Sequence, residues 1–157
     1  MIEIDAKLES KPLNRFLMYH NYMRPGGIAG VIISVAAIIC LFVGWNNWTY
    51  TQKGLLVVLA LLFTVIQPLM LIARGKKQLS MEQFQKSFHY TFDPDKVSVS
   101  QDGEKQEFGW DEIRKVVIRK DAIYVYMTTQ SAFVLAKDQC GADYDRLLQL
   151  VKENYKK

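Results

Sequence analysis

Two long runs without a single charge constrain this chain more than anything else in it. "IAGVIISVAAIICLFVGW" extends from Ile28 to Trp45, and "LLVVLALLFTVIQPLMLIA" from Leu55 to Ala73. Each is close to the ~20 residues that a helix needs to cross a bilayer core. A chain of 157 residues has too little remaining material to enclose two all-apolar helices, so the runs are expected to face lipid. The connecting "NNWTYTQK" is too short to hold a domain, and the two spans must form a hairpin. Trp45, Trp48 and Tyr50 cluster in it, as an interfacial aromatic belt would.

Charge gives the expected orientation. The linker offers only Lys53, whereas Lys7, Lys11, Arg15 and Arg24 precede the first span and Arg74, Lys76 and Lys77 follow the second. The positive-inside rule then puts both termini in the cytoplasm. The first span starts late and no small-residue cleavage site follows it, which argues against a signal peptide. The net charge of +4 belongs to these flanks: from Gln78 onward there are 12 Lys+Arg against 13 Asp+Glu. A nucleic-acid-binding face would need its cations on the folded domain, so nucleic acid is not an expected partner. Gly26, Gly30 and Ser34 recur every fourth residue, a spacing that lets helices approach closely. It fits a contact inside the hairpin or a homo-oligomer face. Gln67-Pro68 predicts a kink, with Gln67 making a polar contact to the first span.

Outside the spans the periodicity changes. "MIEIDAK" alternates Ile2, Ile4 and Ala6 with polar residues and reads as a strand. Leu13, Phe16, Leu17 and His20 share a helical face between Pro12 and Met23, which predicts an interfacial helix feeding the first span. "QLSMEQFQKS" reads as a short helical linker. Beyond it "FHYTF", "KVSVS", "KQEF", "KVVIR", "AIYVYM" and "SAFVLA" are six short strands in sequence, with Asp102-Gly103 as a hairpin turn; such a series argues an antiparallel meander. A final helix is expected from about Ala142 to Tyr155, with Tyr144, Leu147, Leu148, Val151 and Tyr155 on one face and Lys152, Lys156 and Lys157 at its end.

These features together resemble the YcxB-like family of bacterial membrane proteins. The resemblance is carried by "FLMYHNY", the two-span hairpin, "YTFDPDKVSVS", "GWDEIRKV", "DAIYVYM" and "SAFVLAK". Family members tend to have a Pro-Lys-Arg type sequence after the last strand, where this chain has Ala136-Lys137-Asp138. The resemblance implies a pleckstrin-homology-like domain, a curved antiparallel sheet capped by a C-terminal helix, and brings no enzymatic activity. The expected fold is therefore an α+β membrane protein: N-terminal strand and interfacial helix over 1–27, transmembrane hairpin over 28–73, linker helix over 74–87, and a pleckstrin-homology-like cytoplasmic domain over 88–157.

No catalytic, metal-binding or cofactor-binding residues emerge. Cys40 and Cys140 are far apart, the only histidines are His20 and His89, and neither a metal-ligand spacing nor a phosphate loop occurs. The expected function is non-enzymatic: a module held at the inner face of a bacterial cytoplasmic membrane, binding a protein or peptide. The alternatives are an immunity-type protein against a membrane-active toxin and a lipid-headgroup binder. Trp110, Arg114 and Lys137 are the candidate interaction residues. For Trp110 a plug in the core is favoured over a stacking site, because Trp110 and Ile113 are three apart and both can turn inward.

Overall fold

The computed structural model describes residues 1–155; Lys156 and Lys157, expected at the end of the last helix, lie outside them. The chain divides into two compact units, residues 14–77 and residues 1–13 with 78–157.

The helical unit holds most of α1 (Ser10–Tyr22), then α2 (Pro25–Val43), α3 (Tyr50–Leu61), a π-helical turn (Leu62–Ile66) and α4 (Gln67–Leu79). Pro25–Val43 and the continuous helix Tyr50–Leu79 are long and apolar enough to cross a membrane, each containing an 18-residue window whose mean hydropathy is 2.6 and 2.7 respectively. Both begin about as proline and capping chemistry dictate. Pro25 takes the first turn of α2, where its missing N–H costs nothing. Thr49 and Gln52 form a capping box at the start of α3.

The hairpin closes on small residues. Gly30 is buried against the ring of Phe63, where any side chain would collide. Ser34, fully buried, donates from Oγ to the Leu59 carbonyl at 3.0 Å. Gly26 has open space around it. The four-residue repeat thus serves the hairpin at Gly30 and Ser34 and leaves Gly26 out. At the tip, Trp48 Nε1 donates to the Cys40 carbonyl at 2.9 Å, and the Lys53 ammonium stands 4.6 Å from the centre of the Trp45 ring.

The disturbance expected at Pro68 appears one turn earlier, and its chemistry is explicit. In the π turn the Gln67 N–H bonds the Leu62 carbonyl, five residues back. The same register would give the Phe63 carbonyl the N–H of residue 68, which is proline and has none. Tyr22 supplies the missing donor: its hydroxyl reaches the Phe63 carbonyl at 2.8 Å. Tyr22→Phe should therefore orphan a carbonyl in apolar surroundings and cost about 1–3 kcal/mol. Thermal unfolding of the full chain in detergent reads this, and an unchanged midpoint would contradict it. The expected contact from Gln67 to the first span is not made, since the buried Gln67 Oε1 has no hydrogen-bond partner. The α1 helix packs along α4, with Asn14 and Leu17 against Gly75.

The second unit contains β1 (Ile2–Lys7), α5 (Glu82–Gln85), β2 (Ser87–Phe92), β3 (Lys96–Gln101), β4 (Glu104–Gly109), β5 (Lys115–Ile118), β6 (Ala122–Tyr126), β7 (Ala132–Ala136), α6 (Lys137–Cys140), a 3₁₀ turn and α7 (Tyr144–Asn154). The strands form two antiparallel sheets, β1-β2-β3-β4 and β5-β6-β7, where the sequence suggested one curved meander. The ladder breaks at the turn holding Trp110. The β1 strand pairs with β2 along its whole length, Ile2 opposite Phe92 and Lys7 opposite Ser87, even though the helical unit lies between them in sequence. The hairpin at Asp102-Gly103 has positive φ at both residues, 53° and 87°, as a type I′ turn requires.

Alternation places Ile4, Tyr90, Phe92, Val97 and Val99 inward from the first sheet and Ile123, Val125 and Leu135 from the second. The Phe133 ring joins the two sets, 5.5 Å from Tyr90 edge-on and 6.1 Å from Phe108, a favoured aromatic geometry. The apolar stripe of α7 enters the same core, with Leu147 and Val151 almost fully buried. Its start at Tyr144 follows α6 and a 3₁₀ turn, so the helix is shorter than expected. The two tyrosines at its ends bolt it to the β5 region: Tyr144 donates to the Arg119 carbonyl at 3.0 Å and Tyr155 to the Arg114 carbonyl at 3.1 Å. The outer edge strand β4 carries charge. Glu107 bridges Lys105 and Lys96, each at 2.7 Å, and these hydrogen bonds hold its carboxyl at a pKa of about 2. Charged edges of this kind resist strand addition.

Candidate functional site

The turn between β4 and β5 is the centre of the candidate site. Its backbone closes through the Glu112 N–H to the Gly109 carbonyl at 3.1 Å. Asp111 and Glu112 are exposed while Trp110 and Ile113 turn inward. Trp110 is 9 % exposed and Ile113 fully buried. The indole Nε1 donates to the Asp93 carbonyl at 2.9 Å, in the turn between β2 and β3. One side chain thus fills the core and ties two turns of the first sheet together. Its only donor is consumed by protein, and its ring faces core residues. This is the geometry of a plug.

The other two residues singled out by sequence lie differently. Arg114 is exposed, and its backbone joins Tyr126 and Tyr155. Lys137 is exposed at the start of α6, with its ammonium 5.2 Å from the centre of the Tyr144 ring. Among the described residues no hydrogen bond or ion pair joins Trp110, Arg114 and Lys137. In the Ala136-Lys137-Asp138 segment, Ala136 ends β7 and Lys137 and Asp138 open α6. Cys140 in that helix is buried, and burial, with Asp138 and Asp143 nearby, pushes its thiol up to about 11. A thiol in that range is a poor nucleophile at neutral pH.

Sequence reasoning missed an open cleft of about 670 Å³ lined by Met81, Glu82, Lys86, Gln101, Asp102 and neighbours. The short α5 helix and the β3–β4 turn form it, held by the Lys86–Asp102 pair at 2.7 Å and by Gln101 Nε2 donating to the Gln83 carbonyl at 2.7 Å. The Asp-Gly turn signalled one wall, but nothing local signalled that α5 would lie beside it. The cleft has no histidine or cysteine in its lining. Among the described residues no group of three His, Cys, Asp or Glu is placed to hold a metal ion.

The class defined by these elements is a mixed α+β chain that joins two long apolar helices to a unit of two antiparallel sheets. Residues 92–151 match the model of the family described as YcxB-like protein. The matched segment runs from the end of β2 through most of α7 and is similar to the YcxB-like family that the sequence resembles. No curated protein and no solved structure matches the chain.

Proposed function

We propose that the chain is a non-enzymatic membrane-anchored protein. In this reading the helical unit crosses a bacterial cytoplasmic membrane as a hairpin with both termini inside. The strand-rich unit is a pleckstrin-homology-like module that binds a protein or peptide at the cytoplasmic face.

The observation that carries the reading is the surface of the helical unit. Only 22 % and 11 % of the 18-residue apolar windows in the two helices is buried. Phe42, Val43, Ile32 and Leu55 are 77, 83, 62 and 62 % exposed. An apolar surface this continuous is unfavourable in water and natural in lipid. Residues 14–77 also contain no Asp or Glu, and their cations other than Lys53 gather at one end. Two antiparallel sheets with a C-terminal helix packed into their core support the pleckstrin-homology-like reading of the second unit. A binding role follows from that module and from the exposed cations Arg114 and Lys137, which lie outside the core.

The test uses the full chain purified from native membranes in mild detergent, with and without Arg114→Glu and Lys137→Glu together. The wild type should retain a stoichiometric protein partner, and the double variant should lose it with an unchanged unfolding midpoint. No retained partner, or equal retention by the variant, would contradict the proposal.

A further inference from the structure

We infer that the open edge of β5 docks an extended acidic segment of a partner protein, which adds to the second sheet as a further strand. Such a segment would be the partner of the binding module proposed above, and the site rests on that reading. The β5 strand is an outer strand of the β5-β6-β7 sheet. The Arg119 N–H donates to the Ala122 carbonyl at 2.8 Å. In the register that sets Val117 opposite Tyr124 and Lys115 opposite Tyr126, the odd-numbered residues of β5 therefore bond β6. Antiparallel ladders alternate, so the N–H and C=O groups of Val116 and Ile118 point the other way, off the sheet. The preceding outward carbonyl, that of Arg114, is taken by the Tyr155 hydroxyl at 3.1 Å. Val116 and Ile118 thus offer a short template for strand addition. The edges of the first sheet are less open. Glu107 bridges Lys105 and Lys96 along β4, and the Lys7 carbonyl at the end of β1 accepts from Gln139 Nε2 at 2.7 Å.

Charge decides the occupant. Residues 114–120 read "RKVVIRK", with two cations on each side of an apolar centre and no acid among them. Glu112 and Asp121 lie beyond the two ends of this run. Arg114, Lys115, Arg119 and Lys120 are all exposed, and Ile118 is 41 % exposed. A second copy of this chain fits poorly. Twofold pairing of two β5 edges with Val116 against Ile118 would set Lys115 opposite Arg119 and Arg114 opposite Lys120. Like charges directly opposite one another destabilise a strand pair. An extended segment with Asp or Glu on both sides of an apolar centre turns each of those pairs into an attractive one. Its backbone would bond Val116 and Ile118, and its acids would fix its register. The charges that recruit the partner also keep free copies of the chain from pairing edge to edge.

The test is peptide titration of the full chain in mild detergent, read by fluorescence anisotropy. The probe is a heptapeptide with a Val-Thr-Val centre and two Glu residues at each end. Its counterpart carries Lys in place of Glu. Each cross-strand charge pair contributes about twofold, so the acidic peptide should bind saturably and at least about tenfold tighter than the Lys peptide. The Val116 and Ile118 amides should gain protection from hydrogen exchange in the complex. Ile118→Pro removes an outward N–H and no bond to β6, and it should abolish binding with the unfolding midpoint unchanged. Where that substitution lowers the midpoint, Lys115→Glu with Lys120→Glu decides, since it should reverse the preference in favour of the Lys peptide. No saturable binding of the acidic peptide by the wild type, or a preference that the double reversal leaves in place, would overturn the site. A dimer of the full chain that Ile118→Pro dissolves would put a second copy on the edge and overturn the acidic partner. A partner from native membranes that is released by Arg114→Glu with Lys137→Glu, but retained by Ile118→Pro, would refute the edge alone. A chain that retains no partner would refute the binding role itself.

Discussion

Trp110→Ala should cost about 3–5 kcal/mol and lower the unfolding midpoint of the strand-rich unit by more than about 12 °C. Truncation removes a large aromatic from a site that is 9 % exposed, and the surrounding sheets and helix can collapse only partly into the void. It also strips the Asp93 carbonyl of the indole donor at 2.9 Å, freeing the β2–β3 turn from the turn that separates the two sheets. Trp110→Phe should recover much of the loss, because it restores ring volume and leaves one acceptor unpaired. Thermal unfolding of the full chain in detergent, followed by near-ultraviolet circular dichroism, is the measurement. A variant that unfolds with the wild type and has lost a partner would make Trp110 a contact residue and contradict the plug.

Deletion of residues 1–7 should be at least as severe. The β1 strand places Ile4 and Ala6, each 4 % exposed, in the core, and it covers all of β2 from Ser87 to Phe92. Losing one buried isoleucine costs about 2–5 kcal/mol on its own, and the strand's ladder hydrogen bonds go with it. The sum approaches the entire stability of an ordinary domain. The deletion also bares an aromatic-rich edge, since Phe88, Tyr90 and Phe92 lie on β2, and bare edges pair with other chains. The shortened chain should lose cooperative unfolding and elute as aggregates in size-exclusion chromatography. A monodisperse protein with the wild-type midpoint would contradict the role given to β1.

What could be read from sequence depended on the range of the interactions involved. The apolar helices were legible because their signal is local and continuous. Most strands were legible from period two, including Ile2–Lys7, whose alternation marks a strand wherever its partner lies. The inward turn of Trp110 and Ile113 followed from their spacing. The split into two sheets was not legible, because it depends on where the ladder fails between Gly109 and Lys115. The π turn needed Tyr22 to reach Phe63 across 41 residues, and no window of sequence contains both. The four-residue repeat at Gly26, Gly30 and Ser34 left a hairpin contact and an oligomer face equally open until Phe63 and Leu59 stood opposite Gly30 and Ser34. The α6 helix was not legible because four residues are too few to show periodicity.

The burial of Cys140 also changes how orientation must be tested. At 5 % exposure and with its thiol pushed up to about 11, it would stay unlabelled on either side of a membrane. An exposed reporter on the same unit is needed, and Gln130, in the turn between β6 and β7, is exposed. The most direct test of the membrane-anchored reading labels intact cells with a charged, membrane-impermeant maleimide, comparing Asn47→Cys with Gln130→Cys, each with Cys40 and Cys140 replaced by Ser. Asn47→Cys should label in intact cells and Gln130→Cys only after the membrane is opened. Labelling of Gln130→Cys in intact cells with Asn47→Cys silent would reverse the orientation and exclude a cytoplasmic partner. Both positions remaining silent until lysis would contradict a hairpin that crosses the membrane.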